Sequence, residues 1–412
     1  MGIGRLGKNT FLSTIGLVVR ALVQAGYLVV LSRWMGPNGY GLFAGSVAAA
    51  ILLSPLAGWG ISYVLTRDIS QDRLKSHSLW ATAIIQIVLS GIILIILVTF
   101  VSGHFLVARV NSGSMFILGF SELIAVPLAQ AATCMCLALD RGLSAAFAMC
   151  IIPASRFVAV VTFLSAGFLG SPHNVAALHF FGSIVGAALT VYAVSRIDGA
   201  PDWSGRMRLT KATSDGTHYA TGALVGSSYQ EVDKVLLLQL LGAASVGTYT
   251  AAFRVMSVFV LPIAALMGAA LPKLFAEQKV EGTHRTLRIV TFSSIGYAMA
   301  ASLAAAVISP LMPLIFGSGF TASSDYLLML SPWAIIFALH QSGATGLTAQ
   351  NRQVTRVVVE AIGLLFVIGM NLLLLKSLGV RAAAMSLLTA EVFMASACWS
   401  MLYYFHGRTK LK

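Results

Sequence analysis

The chain has 412 residues, 58% of them hydrophobic and only 10% charged, with a formal net charge of +13. Ordinary soluble domains are roughly 25% charged, so water is excluded as the main solvent and a lipid bilayer takes its place. The basic excess lies in short clusters between apolar runs rather than on one polar face, which excludes a nucleic-acid partner. Cys134, Cys136, Cys150 and Cys398 all fall in apolar runs and read as small buried residues, not as disulfide or zinc ligands.

The first apolar run, Phe11–Ser32, follows Arg5 and Lys8 as a signal peptide would. It is too long for the core of such a peptide, Arg20 interrupts it and no small-residue cleavage pattern follows, so it is expected to stay as the first membrane helix. A span needs about 20 largely apolar residues. On that scale twelve follow one another, roughly 11–32, 41–65, 79–101, 115–139, 144–168, 174–195, 219–241, 247–274, 287–309, 325–349, 354–375 and 381–404. The period-2 alternation of a membrane barrel is absent, so the spans are predicted to be helices.

With a cytoplasmic N-terminus, nineteen basic residues lie in inner loops and termini, among them Arg67, Arg73, Arg141, Lys211 and Arg352, whereas the outer loops hold Arg33, Arg109, Lys376 and Arg381. That asymmetry puts both termini in the cytoplasm. The longest outer loop is about 15 residues, too short for a folded catalytic domain outside the membrane. The one sizeable connection, Arg196 to His218, is the natural linker and divides the chain into 1–198, 199–218 and 219–412.

The halves repeat. Gly36-x4-Gly41-x-Phe43 returns as Gly242-x4-Gly247-x-Tyr249, 206 positions on. Arg67 then falls on Lys273, Arg141 resembles Arg352, and Leu169-Gly170 resembles Leu378-Gly379. Each Gly-x4-Gly element falls at an outer hairpin, where glycine supplies the positive φ a tight turn needs. Two halves of six helices each start on the same membrane side. The fold class is therefore an all-α integral membrane protein of about twelve transmembrane helices in two six-helix bundles, related by a pseudo-two-fold axis along the membrane normal.

Ionisable groups inside spans normally face a wet cavity or a partner. Ser13, Arg20, Gln24 and Tyr27 share a face of the first helix, and Ser227, Glu231 and Lys234 a face of the seventh, with Asp233 rotated away. Lys234 and Arg254 lie at similar depth and could converge. Arg156 and Glu391 fall near mid-depth, Glu122 nearer the outside and Glu360 nearer the inside. Two readings stand for Glu231, Asp233, Lys234 and Arg254: a ligand or ion site, or an ion-pair cluster between helices. Arg20 has no acid on its own helix, which favours an anionic ligand. His340, Gln341 and Thr345 fit either a cavity wall or helix-helix hydrogen bonds. There is no P-loop, no diphosphate-Mg²⁺ carboxylate motif and no metal-ligand spacing.

The stretch Leu31–Phe43, Asp233 with Leu241–Tyr249 and on to Leu271-Pro272, Ile315–Phe320 and Leu378–Ala384 together resemble, in order and spacing, the polysaccharide-exporting branch of the multidrug/oligosaccharidyl-lipid/polysaccharide (MOP) flippase superfamily, the O-antigen and exopolysaccharide flippases. The resemblance covers nearly the whole chain and implies transport by alternating access of an undecaprenyl-diphosphate-linked oligosaccharide to the outer leaflet of a bacterial inner membrane. The chain lacks the two extra C-terminal helices of the lipid II flippases. With that reading, Arg20, Gln24, Arg156, Lys234 and Arg254 are the candidates for the diphosphate and glycan. Glu122, Glu231, Asp233 and Glu391 are the candidates for a coupling H⁺ or Na⁺, and no cofactor is implied. Membrane lipids, a polysaccharide polymerase and a chain-length regulator are the implied partners. A multidrug/cation antiporter of the same superfamily, a membrane glycan polymerase or ligase, and a scaffold for glycan assembly are the rivals.

Overall fold

The computed structural model describes residues 3–105, 111–167, 171–203, 209–278 and 284–409. Arg109, Leu169, Gly170, Arg206 and Arg208 of the sequence reading lie outside them. Every extended element among the described residues is a helix: α1 (Ile3–Leu53), α2 (Ile61–Gln71), α3 (Ser76–Phe105), α4 (Ser112–Phe120), α5 (Val126–Ala138), α6 (Gly142–Ser165), α7 (Pro172–Asp198), α8 (Leu209–Leu240), α9 (Ala243–Gln278), α10 (His284–Ile308), α11 (Met312–Phe316), α12 (Ala322–Leu330), α13 (Trp333–Ala349), α14 (Gln353–Leu378) and α15 (Arg381–Thr409).

Among the described residues, ten segments are long and apolar enough to cross a bilayer. The twelve predicted spans map onto this architecture with three instructive differences, one being that the predicted span 41–65 is interrupted over 54–60, between α1 and α2, where Gly58, Trp59 and Gly60 take positive φ. Ile15–Leu56 counts as one 42-residue segment, yet Gly36 inside it takes φ 66° and ψ 178°, just before Pro37, and breaks the helix into two arms. The third is α8, whose 32 residues exceed a bilayer's thickness at ~1.5 Å each. Lys211, Asp215, Glu231, Asp233 and Lys234 make α8 too polar to qualify by hydropathy.

The hairpin glycines behave as the sequence predicts. Gly36 and Gly242 both have positive φ, 66° and 100°. The repeat also extends to a turn that sequence identity shows only at its arginine. Asp140 and Asn351 both sit at φ 58°, and the next residues, Arg141 and Arg352, return their N–H to Cys136 and Leu347 carbonyls at 2.8 and 2.9 Å. Two turns 211 positions apart thus share one backbone path.

The chain forms two compact units, Met1–Glu231 and Val232–Lys412. This division falls inside α8 rather than in the predicted 199–218 linker. The connection is itself shorter than expected, because α7 runs to Asp198 and α8 starts at Leu209. Its first part is pinned: Asp202 N–H donates to the His77 carbonyl at 3.1 Å, and His77 Nδ1 reaches Ala200 O at 3.0 Å.

Within the first unit, α6 and α7 pack through small residues. A Cβ on Gly182 would lie 2.7 Å from Arg156 Cα, and one on Gly186 2.6 Å from Ser155 Oγ. In lipid there is no hydrophobic drive between helices, so close backbone approach of this kind is what holds them. Gly182→Ala is expected to cost about 1–3 kcal/mol by overpacking, read as a lower midpoint of thermal unfolding in detergent, whereas Gly226→Ala, where a Cβ meets nothing within 4 Å, is expected to leave it unchanged.

Candidate functional site

The close α6–α7 crossing sets Arg156 against Ser183, with Nε donating to Oγ at 2.8 Å. Its Nη2 donates to Glu122 Oε1 at 2.8 Å. Glu122 lies in a single π-helical turn, Ser121–Ala125, between α4 and α5. Pro127 follows, and with no N–H it cannot close the α-bond to Leu123, so the widened turn has a local cause. The turn needs room on α3, and Gly91 provides it: a Cβ there would stand 2.7 Å from Leu123 O.

His179 completes the cluster, its Nε2 2.8 Å from the same Glu122 oxygen and its Nδ1 2.7 Å from the Tyr27 hydroxyl. An ionised Glu122 requires Nε2 to carry the proton, and in the neutral imidazole Nδ1 then accepts from the Tyr27 hydroxyl, so that both nitrogens are used. Tyr27, Glu122, Arg156, His179 and Ser183 are all buried. The cluster ties α1, the π-turn, α6 and α7 together. Phe43, the aromatic of the first Gly-x4-Gly motif, packs edge-on against His179 with centroids 5.2 Å apart.

The second unit has its own buried cluster. Asp233 accepts from the Lys234 ammonium at 3.2 Å and from the Tyr249 hydroxyl at 2.7 Å. The ammonium sits 3.7 Å from the Phe253 ring centroid, and Phe253 stacks on Trp333. Asp233, expected to point away from Lys234, instead meets it, because the lysine chain is long enough to fold back onto its neighbour. Tyr249 is the aromatic of the second Gly-x4-Gly motif, so in both units that aromatic contacts the buried polar cluster. Farther along, Glu391 accepts from Trp333 Nε1 at 2.9 Å and pairs with His340 Nδ1 at 2.8 Å. The histidine on the tenth span thus makes a helix-helix bond. Glu360 pairs with Arg356 one turn away at 2.7 Å.

The predicted residues therefore separate. Arg156 with Glu122, and Lys234 with Asp233, are buried pairs. Glu231 is buried and Arg254 half-buried. Arg20 is exposed and Gln24 partly so, and among the described residues Arg20 makes no ion pair. The polar stripe of the first helix divides accordingly. Arg20 and Gln24 are accessible, Tyr27 is fully buried against His179, and the Ser13 side chain lies outside the described residues. His179 and Trp333 were not singled out in the sequence, and Tyr249 was named only as the aromatic of its motif. Scanning the spans for histidine as well as for formal charges finds His179; nothing local distinguishes Trp333 from apolar core.

The fold is that of known transporters. An inward-facing multidrug resistance MATE family transporter of the MOP superfamily aligns at TM-score 0.73 and 14% identity, covering 97% of this chain and 99% of the other. An outward-facing one aligns at 0.70 and 12%, covering 99% and 96%. A MOP superfamily transporter from Pyrococcus furiosus, described as having a binding pocket of reverse polarity that suggests a different function, aligns at 0.70 and 13%, covering 98% and 96%. No curated protein matches by sequence. The sequence matches the polysaccharide biosynthesis protein family over residues 6–277. With that match over most of its length, this chain belongs to the polysaccharide biosynthesis protein family, and it shares almost end to end the fold of MOP superfamily transporters.

Proposed function

We propose that the protein is a flippase that carries a polyprenyl-diphosphate-linked oligosaccharide from the cytoplasmic to the outer leaflet of a bacterial inner membrane, for polysaccharide assembly. The observation that carries this reading is Arg20: an accessible guanidinium on a membrane helix, with no acid in α1 and no ion pair among the described residues. A guanidinium offers paired, charge-assisted hydrogen bonds to phosphate oxygens, and Gln24, one turn on, adds a neutral donor and acceptor suited to a sugar. Arg156 and Lys234 are spoken for by Glu122 and Asp233, so Arg20 is the main diphosphate contact.

The energetics suit this cargo. Two negative charges moved outward across an inside-negative potential of about 100 mV release roughly 2.3 kcal/mol each, so H⁺ or Na⁺ coupling is an addition rather than a requirement. The multidrug reading, suggested by the similar structures, calls for a cavity that attracts organic cations, which an exposed arginine repels. A polysaccharide polymerase and a chain-length regulator are the protein partners this role would have.

The test is replacement of Arg20 by Ala, Gln and Lys in the host strain, with surface glycan and lipid-linked intermediate measured together. A charge-assisted bond is worth about 1.5–3 kcal/mol, so Ala and Gln are expected to cut export roughly ten- to a hundredfold while the intermediate accumulates. Lys is expected to retain part of the activity. Native export by the Ala and Gln variants at normal expression refutes the assignment, and drug resistance lost on deletion with glycan unchanged would favour the multidrug reading.

A further inference from the structure

The cytoplasm-side third of α8, as loop charge orients it, is held to the turn before α2, to α2 and to α3 by a cluster of polar and aromatic contacts. Trp59 Nε1 donates to Thr217 Oγ1 at 3.0 Å, and Arg67 Nη2 bonds Asp215 Oδ2 at 2.5 Å. Tyr63 and Tyr219 stack with centroids 4.9 Å apart and 10° between planes, and Gln86 Nε2 reaches Thr213 Oγ1 at 3.4 Å. Between them the backbones touch: a Cβ on Gly216 would lie 2.0 Å from Trp59 O, and one on Gly60 2.3 Å from Gly216 O.

Three consecutive residues at this crossing, Gly58, Trp59 and Gly60, have φ of 78°, 48° and 77°. Trp59 is in the left-handed region despite its Cβ, which strains the backbone there. Its indole bond to Thr217 forms at this strained residue. The seam is polar and half-exposed: Arg67 and Asp215 side chains are 39% and 27% accessible. Water can replace the Arg67–Asp215 bond at little cost, and among these polar partners Gln86 alone is buried. By contrast, Asp233 and Lys234, farther along α8, are held by fully buried contacts.

We infer that this α2–α8 clasp is a releasable lock, whose opening frees the cytoplasmic third of α8 from α2 during the transport cycle; the inference rests on the transport reading above. The Arg67 bond holds the Asp215 carboxyl below its ordinary value. That pair therefore persists above the ordinary carboxylate range and fails only in stronger acid, so salt rather than physiological pH is what loosens it.

Nitroxide labels on Ser70→Cys and Ser214→Cys, both exposed and outside the clasp, in a chain whose four native cysteines are replaced by alanine, report its opening by pulsed electron-electron resonance. The probe is the full chain in phosphatidylethanolamine/phosphatidylglycerol vesicles. Two distance populations are expected. The longer should grow about two- to fivefold between 50 mM and 1 M NaCl or with Arg67→Ala, the range expected for a partly exposed pair. The exchange Arg67→Asp with Asp215→Arg should restore the shorter. One distance, indifferent to salt and to Arg67→Ala, overturns the lock and makes the seam a static contact. The readout needs no substrate, so failure of the glycan reading, seen as unchanged surface glycan on deletion, leaves it interpretable.

Discussion

Glu122→Ala is expected to abolish most folded protein. The substitution leaves the Arg156 guanidinium and the His179 N–H without their shared acceptor in a buried site, and breaking one side of a buried pair costs about 3–5 kcal/mol, a large part of a typical stability. Glu122→Gln keeps an acceptor oxygen but not the charge, so its loss is expected to be smaller. The informative variant is Glu122→Gln with Arg156→Met, which removes both charges and keeps an acceptor oxygen for the His179 N–H. If the cluster is a structural clamp, the double variant melts within a few degrees of the wild type and exports glycan, whereas Glu122→Ala and Arg156→Met alone fail in detergent chromatography and thermal unfolding. A double variant that folds but does not export would reassign Arg156 to the substrate.

That outcome also decides what the sequence could have told. Depth was legible: counting residues from a span's ends places Arg156 and Glu122 in the bilayer, and the cost of a bare charge there predicts a partner or a cavity. Azimuth was not. Leu22, Ile93 and Phe100 are exposed, yet they are as apolar as the core residues, so no amphipathic pattern says which side of a helix faces inward. Glu122 and Arg156 lie 34 positions apart on separate helices, and only the α6–α7 crossing at Gly182 and the π-turn before Pro127 bring them together.

The hairpins were legible because glycine conformation is a local property: Gly36 and Gly242 declare themselves by spacing. The boundary between the units was not, for the opposite reason. A linker rich in Pro, Gly and charge invites division there, but α8 starts within the predicted 199–218 segment, and its contacts to Trp59 and Arg67 carry its first half into the first unit.

Asp233→Ala is the second large expected effect. The Lys234 side chain is 0% accessible and that of Asp233 2%, so the mutation removes in one step the Asp233 carboxylate from a buried ammonium and from the Tyr249 hydroxyl. A loss of about 3–5 kcal/mol is expected, the ammonium keeping the Phe253 ring face, worth up to about 2 kcal/mol when desolvated. Asp233→Asn retains an oxygen for Tyr249 and should fall between Ala and wild type. Adding Phe253→Leu to Asp233→Asn should bring stability down further, since the cation then loses the ring too. Arg356→Ala is the comparison: its pair with Glu360 has a guanidinium 32% accessible, and about 1 kcal/mol or less is at stake. Thermal unfolding of the four variants should therefore rank Arg356→Ala, Asp233→Asn, the Asn–Leu double and Asp233→Ala in rising order of damage. If Asp233→Ala melts with Arg356→Ala, the contacts of Asp233 and Lys234 with Tyr249 and Phe253 are not what ties α8 to α9.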